Sequence, residues 1–445
     1  MIGIIRNLPR FRRAYRELDM LAAREEWTHA EIEAWQLERL NALWRDVAQQ
    51  VPFYRELQRT KSLPEQFRSL DEFRGEMPLL NKSQVRAGGK QFLSHRRTTG
   101  AWRRTGGSTG QPTSFFRSNS AHQAMLRARY RFYQAWDIDI FDRWLFFWRD
   151  PGSSRSGWPG RIERAIHRVK DRLRNRRLIS AHELSTDDLR RHLDYINDFR
   201  TVAIYTHSTA GYLLAQEALR SGFQSDTLRL VNLTSEPAFD HMIDTIQRAF
   251  GVPAVIEYGS VECGFVAGEW PDRTLRVRDD LVIAETLPRN DGRYDIVLTL
   301  LDNTSFPLIR YQIGDISEAS IVRPERGFSI LPNLIGRNLD FVVAPDGKRV
   351  PAKLFEQLFR DQPDVRRWQI RQDRDGSILL VLEDPAGKVN ELTGMFAQRV
   401  SELVEDCSIT VEVVTRIPLT PAGKHRHIIS ELASQPVSTA EQISS

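Results

Sequence analysis

The sequence has few of the residues that build disulfide frameworks or zinc sites. It contains two cysteines, Cys263 and Cys407, among 445 residues, too few for the cross-linked scaffold of a small secreted domain. Neither a Cys-x-x-Cys nor a His-Glu-x-x-His spacing occurs, so no zinc finger or zinc protease is indicated. Because so few cysteines fit a reducing compartment, we expect a cytoplasmic protein.

Long apolar runs are also absent. No stretch approaches the ~20 apolar residues of a membrane helix, and the apolar run in residues 1–6 is too short for a signal peptide. The net charge is only +5, and no recognisable nucleic-acid module accompanies it, so we do not expect nucleic-acid binding.

The positive charge is concentrated in residues 161–177, which contain eight Lys or Arg residues and only two acidic residues. Apolar residues recur there at helical spacing, which predicts a basic amphipathic helix. Two interpretations remain open. The segment is an ordinary surface helix, or it makes a peripheral contact with an anionic membrane or an acidic partner such as a carrier protein.

The chain exceeds the ~250–300 residues at which single cores usually stop growing, so two domains are expected. The pattern predicts an α/β fold class with a large N-terminal domain of layered α/β subdomains, 1–336, whose first 50 residues or so are helical. A small α+β domain follows at 337–434, and a flexible tail at 435–445.

Local patterns predict several elements. Thr28 is a plausible N-cap for a helix over 30–47, and Ser185 begins another helix. A helix is also predicted over 391–404. The predicted strands are 144–148, 202–205, 255–258, 281–284, 295–300, 316–321 and 409–414, together with a hairpin of 368–371 and 378–382.

A glycine- and hydroxyl-rich segment follows Arg103 and ends near Thr113. Such a turn can surround an anion with backbone N–H groups. It lacks the Gly-Lys-Ser/Thr ending of a P-loop, and a surface loop without a ligand also explains it.

Four further motifs contain candidate functional residues. Glu257-Tyr-Gly-Ser-Val-Glu262 combines an aromatic ring with a carboxylate that could hold a hard cation. Gly314-Asp315 offers an acceptor for a sugar diol, although turn-forming aspartates are commoner. Gly336-Arg337 lies at the inferred domain boundary. Pro421-Ala-Gly-Lys424 presents a lysine on a loop, where solvated charge is the ordinary explanation.

In this order and spacing, the five motifs resemble the adenylate-forming enzyme superfamily. More narrowly they are similar to its phenylacetate–CoA ligase-like branch, which includes proteins encoded with capsular polysaccharide genes. Segments 51–55, 69–73 and 77–82 are similar to the N-terminal pattern of that branch. The resemblance covers roughly residues 30–432.

The resemblance implies a ligase that uses ATP and Mg²⁺ to activate a carboxylic acid as an acyl-adenylate. The acyl group would pass to CoA, a carrier pantetheine or an amine, and a mobile C-terminal lid would rotate between the two half-reactions. Glu262 would bind Mg²⁺ and Lys424 would contact the α-phosphate and the substrate carboxylate. The remaining implied contacts are to phosphate (Thr105, Gly106, Gly107, Ser108, Thr109, Gly110), to the nucleoside and its surroundings (Tyr258, Gly259, Ser260, Asp315, Arg337) and to the acyl substrate (His207, Glu236).

Some residues leave alternatives open. A substrate contact is one interpretation of His207, and a hydrogen-bonded polar residue is the more ordinary one. Cys263 could suggest a covalent thiol, but a buried structural thiol is the more ordinary interpretation, since no base partners it in the sequence. Gln111 and Leu339 replace the lysine and acidic residue common in the family, and Gln312-Ile313 replaces Arg-Thr. These departures keep open a degenerate nucleotide-binding or scaffolding protein in a polysaccharide or secondary-metabolite assembly system.

Overall fold

The computed structural model describes residues 9–96, 98–105, 113–139, 141–148, 171, 175–337, 341–359, 362, 364–420 and 423–432. The chain divides into two compact units. Unit 1 comprises Met1–Ala238 and Met242–Leu334, and unit 2 comprises Phe239–His241 and Ile335–Ser445. Among the described helices, none has the length and apolarity needed to cross a membrane.

The α-helices of the described residues are α1 Pro9–Arg24, α2 His29–Gln50, α3 Pro52–Lys61, α4 Leu70–Glu76, α5 Lys82–Gly88, α6 Asn119–Gln134, α7 Thr186–Asp198, α8 Ser208–Ser221, α9 Asp240–Phe250, α10 Ala352–Phe359 and α11 Thr393–Ser401. The strands are β1 Gly100–Arg104, β2 Ser114–Ser118, β3 Trp144–Trp148, β4 Arg176–Ser180, β5 Ala203–His207, β6 Leu230–Thr234, β7 Ala254–Ser260, β8 Gly264–Glu269, β9 Leu275–Val277, β10 Val282–Pro288, β11 Tyr294–Leu300, β12 Tyr311–Ser317, β13 Leu334–Arg337, β14 Phe341–Val343, β15 Arg349–Pro351, β16 Arg367–Gln372, β17 Ile378–Glu383, β18 Ile409–Val414 and β19 Ile428–Ser430.

The largest sheet of unit 1 has seven strands in the order β4-β3-β5-β6-β7-β8-β9. Strands β4, β3, β5, β6 and β7 pair in parallel, whereas β8 and β9 pair antiparallel at one end. Strands β5 and β6 are buried along their whole length, as expected for inner strands of a parallel sheet. Strands β10, β11 and β12 form a separate antiparallel sheet.

The N-terminal helices begin where the sequence places their caps. Thr28 makes a capping box with Glu31 at the start of α2, because its hydroxyl accepts from an otherwise unpaired backbone N–H. Ser185 caps α7 in the same way through Asp188. Pro52 begins α3 directly after Val51, a position where proline loses no helical hydrogen bond. The predicted helix over 30–47 and the helix start at Ser185 are therefore confirmed.

Unit 2 contains a four-stranded sheet in the order β18-β17-β16-β19. The predicted hairpin is confirmed as the antiparallel pair β16–β17. Strands β18 and β19 then pair in parallel with β17 and β16 respectively. These elements, together with the sheets of unit 1, establish the predicted α/β fold class with a smaller α+β unit at the C-terminal end.

Three element predictions need correction. The strand predicted at 316–321 is β12, which ends at Ser317 because the Ser317 hydroxyl donates to the carbonyls of Ala319 and Pro332 and turns the chain. The helix predicted over 391–404 is the shorter α11, preceded by a 3₁₀ turn. In the basic segment 161–177, Arg176 and Arg177 lie in strand β4 rather than in a helix, because they pair with β3. Apart from Asp171 and 175–177, that segment lies outside the described residues.

Candidate active site in unit 1

The turn after β7 carries the aromatic and acidic residues of the Tyr-Gly-Ser-x-Glu motif. Tyr258 lies in β7, Gly259 and Ser260 end the strand, and Glu262 follows in the turn before β8. A side chain at Gly259 would place its Cβ 2.0 Å from the Gly264 carbonyl oxygen. Only glycine therefore allows the two strands to approach so closely at this point.

Tyr258 and Asp315 are brought together from two different sheets. The Tyr258 hydroxyl donates to Asp315 Oδ2 over 2.8 Å. Asp315 lies in β12 directly after Gly314, whose φ of +86° favours glycine. The predicted base-stacking ring and the predicted ribose-binding carboxylate are thus neighbours, although they are 57 positions apart in sequence.

Glu262 has a buried carboxylate with a cation close to it. Its side chain is 5% exposed, and Lys82 Nζ lies 3.7 Å from its Oε1. Burial, together with the Glu262 carboxylate and the Cys263 thiol, raises the pKa of the Tyr311 hydroxyl. Burial also raises the pKa of Cys263 itself, which disfavours the thiolate and agrees with the interpretation of Cys263 as a buried structural thiol.

Lys82 was not among the predicted site residues, and the segment before it explains its position. The Leu80 N–H donates to the Arg310 carbonyl, and the Gln312 N–H donates to the Leu80 carbonyl. Asn81 then caps α5, which begins at Lys82. The chain is therefore fixed to the start of β12 at Leu80, two residues before the lysine. The sequence signal for this was the capping box of Asn81 and Gln84, but that signal does not reveal the partner strand.

Glu262 is the one side chain predicted to bind the metal ion. Among the described residues, no group of three or more His, Cys, Asp or Glu side chains could hold a metal ion. A single buried carboxylate suits Mg²⁺, which takes most of its ligands from phosphates and water. Glu262 therefore fits the predicted metal role, whereas a metal cage made entirely of protein ligands is not present in the described part of the chain.

Only the base of the predicted phosphate loop is described. The Thr105 N–H donates to the Thr113 carbonyl, and the Thr113 N–H donates to Thr105 Oγ1, both over 3.0 Å. These two bonds join the ends of β1 and β2. The predicted phosphate ligands Gly106, Gly107, Ser108, Thr109 and Gly110 lie outside the described residues, as do Gln111 and Leu339.

The two predicted substrate residues lie where β5 and β6 end. His207 is fully buried and stacks on Trp148, with ring centroids 4.3 Å apart. The Thr209 N–H donates to Glu236 Oε2 over 3.0 Å at the first turn of α8. This contact gives Glu236 a structural role, since a carboxylate is stabilised at a helix N-terminus. Both residues lie at the carboxyl ends of parallel strands, where ligands of such sheets usually bind.

A buried polar cluster supports the strand that bears the motif. The Glu257 carboxylate accepts from Arg129 Nη2 over 2.7 Å and from the hydroxyls of Tyr133 and Tyr205 over 3.1 and 3.2 Å. Asn232 Nδ2 is 3.4 Å away. Burial and the Glu257 carboxylate raise the pKa of Tyr133 and Tyr205. The partners of Glu257 come from α6, β5 and β6, so its role could not be predicted from the motif alone.

Unit 2 holds Lys424 on a tight turn. The Thr420 N–H donates to the Lys424 carbonyl over 2.9 Å, and the Lys424 N–H donates to Thr420 Oγ1 over 3.1 Å. Gly423 has a φ of +80° in this turn. The next residue, His425, is buried with its Nε2 2.8 Å from the Trp368 carbonyl oxygen. Arg337 is the last residue of β13, within which the chain passes from unit 1 to unit 2.

The fold defined by these elements is that of the adenylate-forming ligases. A crystal structure of 2-hydroxyisobutyryl-CoA ligase in complex with an acyl-AMP matches with a TM-score of 0.70 and 18% sequence identity, over 92% of this chain and 91% of that one. A second structure of that ligase, with its adenylate and CoA in the thioesterification state, matches with a TM-score of 0.60 and 19% identity, over 92% and 91% of the two chains.

Among curated proteins, the chain is similar to Protein CapK of Staphylococcus aureus. The two are 24% identical over 370 residues, which is 80% of each chain. No protein-family model matches. The resemblance to adenylate-forming ligases predicted from the motifs is therefore confirmed for the fold, which extends over nearly the whole chain.

Proposed function

We propose that this protein activates a carboxylic acid with ATP and transfers the acyl group to a thiol or an amine. The observation that carries the proposal is the hydrogen bond between Tyr258 and Asp315 on an adenylate-forming fold. The buried Glu262 follows Tyr258 by four residues. An aromatic ring hydrogen-bonded to a carboxylate suits a nucleoside, because the ring can stack on the base and the carboxylate can accept from ribose hydroxyls.

Lys82 strengthens the proposal. The family pattern puts a lysine in the phosphate loop where this chain has Gln111, and one phosphate-facing cation is therefore missing. Lys82 supplies an ammonium group 3.7 Å from Glu262. We propose that this ammonium contacts the phosphates when ATP binds and so takes the place of the absent loop lysine. Positive charge at this position stabilises the charge that develops on the leaving pyrophosphate.

The proposed first half-reaction is attack on the α-phosphorus. A carboxylate oxygen of the substrate forms a bond to that phosphorus, and the bond to the bridging oxygen breaks to release pyrophosphate. Mg²⁺, when bound at Glu262, would offset the charge of the phosphates. In the second half-reaction, a thiol sulfur or amine nitrogen attacks the acyl carbon, loses its proton and releases AMP. Holding the reactants together can supply on the order of 7–11 kcal/mol.

We further propose residues 1–336 as the adenylation domain and 337–434 as the lid. Lys424 is proposed to contact the α-phosphate and the substrate carboxylate in the first half-reaction and to be withdrawn in the second, a hinge motion of a common type. The placement of Lys424 on a turn closed by Thr420 supports this role, because it restricts the backbone of the lysine.

The decisive experiment is acid-dependent exchange of labelled pyrophosphate into ATP, run across a panel of aliphatic, aromatic and hydroxy acids. We expect exchange with at least one acid and a requirement for Mg²⁺. AMP release with CoA, with a pantetheinylated carrier or with amines would then identify the acceptor. Absence of exchange with every acid, in protein that binds ATP tightly, would contradict adenylation.

That contradicting result would favour the alternative of a nucleotide-binding or scaffolding protein. Gln111 and Leu339 are the observations that motivate this alternative, since both depart from the family pattern. Lys82 weighs against it, because it restores a cation close to the predicted metal carboxylate. Pull-down of partners in the presence and absence of ATP would distinguish scaffolding from simple nucleotide storage.

A further inference from the structure

Arg117 of strand β2 reaches across to the turn that carries Glu262. Its Nη2 donates to the Val261 carbonyl over 2.6 Å and lies 3.4 Å from the Glu262 carbonyl oxygen. Its Nη1 lies 3.5 Å from Met125 Sδ. The guanidinium group therefore binds the backbone of the turn, whereas the cation beside the Glu262 carboxylate is Lys82.

The turn itself is shaped to receive this arginine. The Cys263 N–H donates to Ser260 Oγ over 3.0 Å and closes the turn. Gly264 follows with a φ of +78°. A Cβ built on Gly264 would lie 2.6 Å from Met125 Sδ and 3.4 Å from Arg117 Nη2. The missing side chain thus leaves room for the end of Arg117 beside the backbone it binds.

Strand β2 also begins at the base of the predicted phosphate loop. Thr113, which is bonded to Thr105, directly precedes β2, and Arg117 follows four residues later in register with Ala101 of β1. One short hydrogen-bonded ribbon therefore connects the closing bonds of the loop with the Glu262 turn. A shift at the base of the loop would therefore also shift the Glu262 turn, because paired strands move as a unit.

We propose that Arg117 is a positioning residue that fixes the Glu262 carboxylate relative to the base of the phosphate loop. The proposal rests on the proposed function, in which Glu262 binds Mg²⁺ beside the phosphates. Groups that orient a metal ligand without touching the metal affect metal affinity or activity by roughly 10- to 100-fold when they are removed. Arginine suits this task, since its planar donors can bind two carbonyl oxygens at once.

The test uses the full chain with Arg117→Lys, which keeps the charge and loses the planar donors, and with Arg117→Gln. The matched control is Arg143→Lys, because Arg143 likewise donates to a backbone carbonyl, that of Phe199, over 3.2 Å, in a part of unit 1 that holds none of the proposed site residues. Two quantities are measured: the Mg²⁺ concentration for half-maximal pyrophosphate exchange, and hydrogen–deuterium exchange of the amides of residues 260–264.

For both Arg117 variants we expect the half-saturating Mg²⁺ concentration to rise roughly 10-fold, while the KM for the acid is unchanged. Amide exchange at 260–264 should become faster, and the control should match wild type in both quantities. An unchanged Mg²⁺ requirement and unchanged exchange would overturn the proposal. An equal rise in every KM, together with a lowered melting temperature, would also overturn it, because it would indicate a purely structural role.

Failure of the proposed function would look different. In that case wild-type protein would show no Mg²⁺-dependent exchange with any acid, and the amide measurement alone would decide the role of Arg117. Faster amide exchange at 260–264 in both variants would support the proposal that Arg117 restricts the backbone of the turn. Wild-type exchange rates would refute that proposal.

Discussion

The Tyr258 hydroxyl donates to Asp315 Oδ2 over 2.8 Å, and this bond links the end of β7 to β12. Tyr258→Phe keeps the ring and removes only the donor. Since a hydrogen bond to a charged group contributes about 1.5–3 kcal/mol, we expect the KM for ATP to rise roughly 10-fold with little change in kcat. Steady-state kinetics with Tyr195→Phe as control will measure this. An unchanged KM would show that the hydroxyl does not orient Asp315 toward the nucleotide.

Lys82 should be needed for the use of ATP. Lys82→Ala removes the ammonium group near Glu262, and loss of one preorganised donor to a developing charge costs on the order of 100-fold in rate. We expect that loss in kcat/KM for ATP in pyrophosphate exchange. Lys90→Ala, at an exposed position, is the control. Wild-type kinetics of Lys82→Ala would remove this lysine from the proposed site.

Lys424 should matter for one half-reaction only. Lys424→Ala is expected to lose pyrophosphate exchange by on the order of 100-fold, because it removes the cation proposed to contact the α-phosphate. Transfer from a chemically prepared acyl-adenylate to the acceptor should remain close to wild type, as the lysine is proposed to be withdrawn in that step. Lys388→Ala, on an exposed ion pair with Asp364, serves as control. Equal loss in both half-reactions would argue against a withdrawn lysine.

The Glu257 cluster should be a large contributor to the stability of unit 1. Glu257→Ala leaves the partly buried Arg129 and two buried tyrosine hydroxyls without this acceptor, and removing one partner of a buried ion pair costs about 3–5 kcal/mol. Glu257→Gln should cost less, because its amide oxygen still accepts. Urea unfolding will measure both, with Glu56→Ala on the surface as control. A change below about 1 kcal/mol in Glu257→Ala would contradict the assigned role.

Unit 2 should lose stability in acid. Burial, followed by the neighbouring His425 ring, lowers the pKa of His427 from 6.5 to about 3. A group with a lowered folded pKa takes up protons more readily when unfolded, so its contribution is present above pH 6.5 and is lost as the pH falls toward 3. We expect His427→Phe to flatten the fall in melting temperature between pH 6.5 and 4.5. His29→Gln, partly exposed on α2, should leave the slope unchanged, and an unchanged slope in His427→Phe would refute the assignment.

The sequence predicted helices and strands well where the residues that determine an element lie within a few positions of it. Thr28 and Ser185 cap their helices as predicted, because a capping hydroxyl acts over three positions. Strands β3 and β5 also lie where their apolar runs predicted them. The strand predicted at 316–321 was placed too late, since its end depends on the carbonyl of Pro332.

The site was only partly predictable for the same reason. The order of the motifs indicated Tyr258, Glu262 and Asp315, and the structure brings Tyr258 and Asp315 into direct contact. The order of the motifs could not indicate Lys82 or Arg117, because their proposed roles depend on contacts with the Glu262 turn, more than 140 positions away in sequence. Nothing in the neighbouring residues of either side chain encodes such a distant partner.

The parallel pairing of β19 with β16 has a consequence for how the Lys424 turn can be manipulated. Strand β19 begins four residues after the lysine and forms one edge of the unit 2 sheet. A chain cut just beyond Lys424 would keep the lysine and yet leave β16 with an unpaired row of backbone donors and acceptors, a recognised starting point for aggregation. Fusions and affinity tags should therefore be joined after Glu431, whose N–H donates to the Gln372 carbonyl of β16 over 2.9 Å.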